Sequence, residues 1–472
     1  MNIQAQTEPS GAARTVKPPA VSHQLAAFAA GLTYDALPAS TVGATKRLLL
    51  DGIGCLLHGT RGEPGQIAWQ SITRLRHGSG EGPATAVIGG KRISVHDAAF
   101  VNGITLYSVG VNDIHKDSYS HPGGCVVPVI LAVGEWLDAP GTDMLPAMAA
   151  GYDVMGRLGR AVGEAHWARG FHPTGTLGPF GATAAAGRLL GLDAATMNSA
   201  LGIAGSQSSG LKAFQSDGSL TMIFHAGRSA QNGVEAAVLA QQGFVGPGAV
   251  IEDPQGFVAV TAGGSPLDPV TQALGQSFEV ERTSFRPFYG CTLTITSSGA
   301  TAEIMRRNPG RAGEVAEIEV RCHPHIIDDV GNDDPRTQLA ARLSLEYNVA
   351  LVVHRGDVVV ADITEQDLWE PGIRNLLPLI RLTPDPTMPH WASKIRIRFK
   401  DGHEDRAEMF SPKGDPENPL SWDDIVEKFM RIVEPLGRPA EARIVADMVG
   451  DLERHRGAEL VAAINAVARP RQ

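Results

Sequence analysis

An apolar stretch of this chain gives way to polar residues at Asn112-Asp113-Ile114-His115-Lys116-Asp117-Ser118-Tyr119-Ser120-His121-Pro122-Gly123-Gly124-Cys125. This segment lies between two apolar stretches, residues 100–111 and 126–136, which we predict to be buried helices. Polar groups between two such helices should lie where the helix ends face a common cavity. The segment is therefore the first candidate for an active site.

The length and composition are those of a globular protein with two domains. The chain has 472 residues, of which 43% are hydrophobic and 19% are charged, and its formal net charge is -10. A negative balance argues against a nucleic-acid partner. It does not exclude a small anionic substrate, because a local cationic pocket can still bind one.

The cysteines and the N-terminus indicate where the chain works. The four cysteines have no paired spacing, which favours neither a zinc site nor a disulfide framework and fits a reduced, cytoplasmic environment. Residues 1–22 are polar and rich in Pro and Ala, so we expect a disordered tail and no signal peptide. No apolar run reaches the roughly 18 residues that a membrane span requires.

Two kinds of periodicity divide the rest of the chain. Residues 23–270 and 412–472 show helical spacing, with many small residues that let helices approach closely, and no alternation of strands with helices. Residues 271–411 contain period-two runs at 315–322 and 393–399, a hairpin after the second run and a helix near 336–353. We predict a mainly α fold, in which both chain ends build a large all-α domain and the α+β module is an insertion.

The polar segment permits two kinds of chemistry. His115, Asp117 and His121 could be metal ligands, but Pro122 and the following glycines do not place them on one helix face, and no further His or Cys cluster completes the site. A histidine beside an acid is sufficient for general acid–base catalysis. The plainer alternative is a loop whose polar groups only cap helix ends.

Two further segments contain possible pocket residues. His172 precedes Pro173 and a helix of small residues, whose N-terminus could attract a carboxylate. Lys212 and Arg228 could bind an anion. His225 lies one helical turn before Arg228, so the residues alone slightly favour a role in bracing helices.

A fourth segment opens the α+β module. Arg286, Tyr289 and Cys291 precede a helix start rich in Ser and Thr, which would suit hydrogen bonds to a carboxylate, although a capped helix start is the plainer interpretation. Cys291 has no adjacent base in the sequence, which disfavours covalent cysteine catalysis.

Taken together, these segments resemble the MmgE/PrpD family. The resemblance is carried by the runs Asn112-Asp113 to His121-Pro122-Gly123, Gly170-Phe171-His172-Pro173-Thr174-Gly175, Phe224-His225-Ala226-Gly227-Arg228, Phe285-Arg286-Pro287, and Asp334-Pro335-Arg336 to Tyr347-Asn348-Val349-Ala350. It implies an all-α domain with an α+β lid domain, a cleft between them, a homodimer, and neither a metal nor an organic cofactor.

The resemblance also implies roles for individual residues. His121 and His172 match the family's active-site histidines, and Asp113 and Tyr119 would assist them by orienting a histidine and donating a hydrogen bond. The candidate substrate-binding residues are His115, Lys116, Lys212, His225, Arg228, Arg286 and Tyr289. The sequence departs from the family pattern at five positions. Gly110 and Asn112 stand where acids are usual, Ile114 where a hydroxyl is usual, Met222 where a cation is usual, and Ile295 where a histidine is usual.

These departures make the family's well-known tricarboxylate substrates less expected here, because a cation and an acid are lost together. We expect a cofactor-independent lyase of the dehydratase type, which acts on a small carboxylic acid by removing a proton α to a carboxylate. An isomerase or epimerase of a small amino- or dicarboxylate, and a carboxylate-binding protein without catalysis, are the alternatives.

Overall fold

The computed structural model describes residues 20–75, 81–287, 290–356 and 363–469. The first helix begins at Val21, so the last two residues of the predicted tail 1–22 are helical. The prediction for residues 1–19 lies outside the described residues.

The N-terminal part of the chain is a bundle of helices around one large apolar core. Its helices are α1 (Val21–Gly31), α2 (Ala39–Gly59), α3 (Glu63–Leu75), α4 (Val95–Tyr107), α5 (Pro122–Leu137), α6 (Gly141–Ala168), α7 (Pro173–Leu189), α8 (Ala194–Ser206), α9 (Phe214–Asp217), α10 (Thr221–Gln241), α11 (Phe257–Ala262) and α12 (Asp268–Thr271). Small residues bring the helices together as predicted. A Cβ at Gly103 of α4 would lie 2.7 Å from the Cα of Gly227 in α10.

A short hairpin corrects the expectation of an all-α region without strands. The strands β1 (Ala84–Ala86) and β2 (Lys91–Ile93) pair antiparallel between α3 and α4. They are three residues each, too short for a period-two pattern to stand out in the sequence.

The inserted module holds a four-stranded sheet with the order β4-β3-β5-β6. Its strands are β3 (Val315–Cys322), β4 (Ile380–Pro384), β5 (Ser393–Phe399) and β6 (Glu404–Met409), and its helices are α13 (Ile295–Arg307), α14 (Pro324–Val330), α15 (Gln338–Leu343), α16 (Leu345–Arg355), α17 (Glu365–Leu368) and α18 (Pro371–Arg374). The predicted strands 315–322 and 393–399 and the hairpin that follows are confirmed, whereas β4, which pairs parallel with β3, was not predicted.

The single helix predicted near 336–353 is wrong, because two helices occupy this segment. Ser344 lies between α15 and α16 with an extended backbone, and its Oγ accepts a hydrogen bond from the N–H of Tyr347 at 2.9 Å. A serine that caps a new helix interrupts the one before it.

The last three helices, α19 (Trp422–Val433), α20 (Pro439–Gly450) and α21 (Gly457–Ala468), return to the N-terminal bundle. Their buried residues, including Phe429 and Ile464, belong to the same apolar core as those of α2 and α5, and the sheet module has a core of its own. The mainly α fold class is thereby confirmed, with 62% helix and 9% strand. The boundaries 23–270 with 412–472, and 271–411, stay a prediction.

Short 3-10 helices connect several elements, at Tyr34–Ala36, Lys116–Ser118, Glu279–Arg282, Thr292–Thr294, Ala312–Glu314, Leu377–Leu379, Glu434–Leu436 and Leu452–Arg454. Within the four described ranges, no helix combines the length and the apolar content needed to cross a membrane.

Candidate active site

The polar segment 112–125 borders a narrow cavity between the helical bundle and the sheet module. The cavity has a volume of about 80 Å³ and is lined by Tyr107, Ile114, Tyr119, His121, Trp167, His172, Phe214, Gln215, Met222, Cys291, Thr292, Leu293, His325, Asp329, Val330, Leu343 and Trp391. Of the predicted catalytic residues, it brings together His121, His172 and Tyr119. We refer to it below as the histidine cavity.

His121 holds a defined tautomer at the start of α5. Its Nδ1 lies 2.6 Å from the backbone oxygen of Asp113, and because that oxygen can only accept, Nδ1 carries the proton. Nε2 is then the basic nitrogen. Burial, followed by the positive charge of Arg286, lowers the pKa of His121 well below its usual value, so the ring is neutral at pH 7.

His172 occupies the equivalent position before α7. Its Nδ1 lies 2.9 Å from Nδ1 of His225, which reaches in from α10. Burial, and then the neighbouring charge of His225, lowers the pKa of His172 well below its usual value, and burial lowers that of His225 to about 4. His225 therefore contacts His172 directly, and its predicted role in substrate binding stays a prediction.

Tyr107 and Thr174 connect the two histidines and were missed by the sequence reasoning. The Tyr107 ring lies 5.3 Å from the His121 ring and 6.4 Å from the His172 ring, between centroids. Thr174 Oγ1 accepts from the His121 N–H at 3.2 Å and lies 3.4 Å from the Tyr107 hydroxyl. Tyr107 ends an apolar helix, so only the tertiary structure reveals it, whereas Thr174 stood in the run that carries the family resemblance.

The Asp113 side chain holds the polar segment against α5 and does not line the histidine cavity. Its buried carboxylate accepts from the Tyr152 hydroxyl at 2.9 Å and from the Gly123 N–H at 3.1 Å, which holds the first turn of α5. Burial, reinforced by the charge of Asp51, raises the pKa of Asp113 to about 7. Its contact with the His121 ring is made by the backbone oxygen, and the predicted catalytic role of Asp113 stays a prediction.

Arg286 is a buried cation that binds the amide of Asn112, the residue predicted above to depart from the family pattern. Its Nε donates to the backbone oxygen of Asn112 at 2.5 Å, one terminal nitrogen donates to the Asn112 side-chain oxygen, and the other donates to the Gly290 oxygen at 3.0 Å. Burial, followed by the charge of Arg342, lowers the pKa of Arg286 to about 10. Because Asn112 is neutral, the charge of Arg286 is left without a carboxylate partner among the described residues.

Two unused hydrogen-bond donors lie in this cationic region. Asn112 Nδ2 and Arg342 Nε are buried and have no hydrogen-bond partner among the described residues. Arg342, only 4% exposed, comes from α15 and was not predicted as a site residue. A bound carboxylate would supply acceptors for such donors.

The far wall of the cavity is aromatic. Tyr119 stacks on Trp167 with 5.8 Å between ring centroids and lies 5.6 Å from Trp391 of the sheet module. Lys212 lies 3.6 Å above the Trp167 ring and 3.7 Å from Asp329, so its charge is partly offset before any substrate arrives. Cys291 faces the same cavity, but burial raises its pKa, which keeps the thiol protonated.

Three predicted binding residues lie away from the histidine cavity. His115 is buried between Ser118 and Glu279, at 2.9 Å from each, and Lys116 forms an ion pair with Asp415 at 2.5 Å. Arg228 is exposed, donates to Gln231 at 2.6 Å and lines a different, apolar groove. Tyr289 lies outside the described residues.

These contacts also separate the residues of the alternative metal site. His115 and Glu279 form a buried pair. Burial alone would raise the pKa of Glu279, but the hydrogen bond and charge of His115 outweigh it and help to lower this pKa to about 2. Asp117 forms an ion pair with Arg282 at the surface. His121 is committed to Asp113, so the three residues have different partners.

The departures from the family pattern have different surroundings. Ile114 and Met222 line the cavity and make it more apolar, while Ile295 is buried at the start of α13. Asn112 is the departure with an electrostatic consequence, because it leaves Arg286 unneutralised.

Sequence comparison finds two family models and several curated relatives that match this chain. The sequence model of the MmgE/PrpD N-terminal domain matches residues 23–270, and that of the MmgE/PrpD C-terminal domain matches residues 289–454. Among curated relatives, the cis-aconitate decarboxylase of Homo sapiens is 29% identical over 84% of this chain and 85% of its own length. The cis-aconitate decarboxylase of Aspergillus terreus (strain NIH 2624 / FGSC A1156) is 25% identical over 92% of this chain and 93% of its own.

The two matched regions together cover most of the 472 residues. The relatives span nearly the whole chain and are lyases by name, which supports an enzyme that acts on a small carboxylate. The chain belongs to the MmgE/PrpD family.

Proposed function

We propose that this protein is a cofactor-independent lyase of a small acid with several carboxylates, in which His121 and His172 transfer the proton. One observation carries the proposal: the half-buried His121 and the buried His172, both neutral at pH 7, precede α5 and α7 and face one cavity on either side of Tyr107. A pair of groups that can accept and donate protons near neutral pH is what cleavage next to a carboxylate requires.

The substrate would bind with its carboxylates directed toward a buried cationic group near the cavity, although Arg286, Arg342 and Asn112 do not themselves line it. Arg286 has no carboxylate partner among the described residues. Asn112 and Arg342, which lie near it, each have a buried donor without a hydrogen-bond partner among those residues. Such preorganised donors stabilise the negative charge that develops when a bond beside a carboxylate breaks.

Two bond cleavages are compatible with this arrangement. In a decarboxylation, the carboxylate leaves as CO2, its bonding electrons remain on the substrate, and a protonated histidine delivers a proton to carbon. In a dehydration, a neutral histidine removes a proton from carbon, and the other histidine protonates the departing hydroxyl. Decarboxylation comes first because the relatives are named for it.

Substrate binding would also prepare the histidines. The charge of Arg286 contributes to the low pKa of His121 in the free protein. A bound polyanion offsets that charge, so the pKa of His121 rises and the ring takes up the proton that a decarboxylation consumes.

The test is incubation with cis-aconitate and with small di- and tricarboxylates, with and without a β-hydroxyl, in deuterium oxide, followed by NMR. A decarboxylase releases CO2 and incorporates deuterium at carbon, whereas a dehydratase forms a new double bond without loss of carbon. The variants His121→Gln and His172→Gln should each lower kcat/KM by about 10²–10⁴-fold.

An exposed histidine supplies the control. His23 lies on the outer face of α1, and His23→Gln should leave kcat/KM unchanged. Full activity in either cavity variant would overturn the assigned roles, and the absence of both exchange and cleavage across the panel would overturn the lyase proposal.

A further inference from the structure

We propose that His323, His325 and His390 form a binding site for a transition-metal cation of the zinc class, at the edge of the sheet module. Each side chain places a ring nitrogen within 4.8 Å of a ring nitrogen of the other two. Within the described part of the chain, this is the one group of three or more histidine, cysteine or carboxylate residues arranged in that way.

The three rings come from two elements that the sheet brings together. His323 is the N-cap of α14 and His325 lies in its first turn, directly after β3. His390 comes from the connection between β4 and β5, which flank β3 on opposite sides. The ring centroids lie 4.4–4.8 Å apart, so the cluster is compact and only partly covered from solvent.

The hydrogen bonds leave a lone pair available. His323 Nδ1 accepts from the backbone N–H of His325 at 3.4 Å, and the Nδ1 atoms of the two rings lie 2.8 Å apart. His325 Nδ1 is therefore the donor in that pair, and its Nε2 is the basic nitrogen. That Nε2 is buried without a hydrogen-bond partner among the described residues.

The His325 ring is in the form that metals bind. Burial, and then the neighbouring His390 and His323, lowers the pKa of His325 to about 4, so this ring is neutral at pH 7. Neutral imidazole is the ligand form for Zn²⁺, Cu²⁺ and Ni²⁺, and oxygen-preferring Mg²⁺ has little affinity for it.

The distances suit a three-imidazole site. Zinc–nitrogen bonds of 2.0–2.1 Å at tetrahedral angles place the ligand nitrogens about 3.3–3.4 Å apart. Small side-chain rotations would bring nitrogens that lie within 4.8 Å to this spacing. Three protein ligands leave a fourth position for water or an anion.

The site lies beside the histidine cavity but is not part of the proposed acid–base chemistry. His325 lines both, and Trp391, the neighbour of His390, packs against Tyr119. A bound cation would fix the position of Trp391 in the cavity wall. Failure of metal binding would therefore leave the proposed roles of His121 and His172 intact. Failure of those roles would likewise leave the metal site intact.

The experiment is zinc binding to the full chain without an affinity tag. After chelation and dialysis, equilibrium dialysis with Zn²⁺ and elemental analysis should give one Zn²⁺ per chain, and Mg²⁺ should not replace it. Titration with Co²⁺ should give the visible absorption bands of a low-symmetry site with nitrogen ligands. The variants His323→Gln and His390→Gln should each weaken Zn²⁺ binding at least tenfold.

His403 offers a matched control, because it is an exposed histidine of the same module outside the cluster. His403→Gln should bind Zn²⁺ like the original chain, and circular dichroism verifies that every variant is folded. Failure of the original chain to retain Zn²⁺ at micromolar concentration overturns the site. So does unchanged binding in a folded variant that lacks both His323 and His390.

Discussion

A single amide distinguishes the electrostatics of this cavity. Asn112 accepts hydrogen bonds from Arg286 without neutralising it, and the resulting positive charge lowers the pKa of His121 in addition to the larger effect of burial. A loop with an acid at position 112 would hold an ion pair instead. The identity of this residue therefore sets both the charge offered to a substrate and the protonation of the base.

The substitution Asn112→Asp tests this argument. The new carboxylate should pair with Arg286, so the pKa of His121 should rise and the limb of the kcat/KM profile that reports His121 should move to higher pH, whether His121 acts as acid or as base. We expect KM for an anionic substrate to increase about tenfold, equivalent to ~1.4 kcal/mol. Asn375→Asp adds the same charge at an exposed position of the sheet module and should change neither quantity. A pH profile whose His121 limb does not move would contradict the proposed influence of Arg286.

The buried histidines also make the fold sensitive to acid. The pKa values of His166 and His225 are lowered to about 4 by burial, whereas an unfolded histidine titrates near 6.5. Between these values the unfolded chain binds more protons than the folded chain, so stability is full above about pH 6.5 and falls as the pH decreases toward 4.

His225→Gln should reduce this acid sensitivity, because the variant lacks one of the histidines that take up a proton on unfolding. The midpoint of thermal unfolding, measured from pH 7 to pH 4.5, should fall less steeply in the variant than in the original chain. His23→Gln, at an exposed position, should show the original slope. Parallel curves for His225→Gln and the original chain would show that His225 is not buried in the neutral form.

At the scale of elements, one C-terminal helix supports the active-site loop. Lys428 of α19 is buried and donates to Asp51 of α2 at 2.5 Å and to the backbone oxygen of Val111 at 2.8 Å. The loop that carries Asn112 and Asp113 is thus held by α19, and not only by its flanking helices α4 and α5. A capping box at Ser421 and Asp424 fixes the start of α19.

Lys428→Met should destabilise the fold by about 3–5 kcal/mol, because it leaves the Asp51 carboxylate buried without its partner. The thermal midpoint should fall accordingly. The double variant Asp51→Asn, Lys428→Met removes the orphaned charge and should recover much of the loss. Lys394→Met is a comparison at another lysine, since Lys394 binds Glu408 at an exposed site and its loss should cost no more than about 1 kcal/mol. Equal losses at the two positions would contradict the role of burial.

At the scale of the molecule, the chain ends share one core and the sheet module has another. Residues of α19, α20 and α21 are fully buried in the core of the N-terminal bundle, and the histidine cavity lies where the two parts meet. The two-domain division is our proposal for this arrangement. The homodimer implied by the family also stays a prediction, and light scattering should give twice the 49.8 kDa mass of one chain.

Removal of residues 412–472 should prevent folding, because the N-terminal bundle would expose the surface that these helices cover. We expect an aggregated chain, or one that binds a hydrophobic dye and lacks a cooperative thermal transition. Removal of residues 2–19, the major part of the predicted tail, should leave the transition unchanged. A folded, cooperative product of the C-terminal deletion would contradict the shared core.

Local patterns in the sequence were sufficient for most elements of this fold. Helical spacing, the alternation in β3 and β5, and the capped start of α19 each depend on residues a few positions apart, and the structure contains them close to the predicted bounds. The misses are β1, β2, β4, the break at Ser344, and the end of the helix predicted over residues 100–111, because α4 ends at Tyr107. They are short elements or local interruptions, where too few residues repeat to define a period.

The sequence by itself determined the helical class, the family and the candidates His121 and His172. Only the tertiary structure decided which side chains share their cavity. Tyr107 and Leu343 line it from helices far apart in the chain, while His115, Lys116 and Arg228 contact other partners. The physical reason is that the spacing of apolar residues indicates which face of its own helix or strand is buried. A cavity forms where elements distant in the chain pack together, and no local pattern specifies that packing.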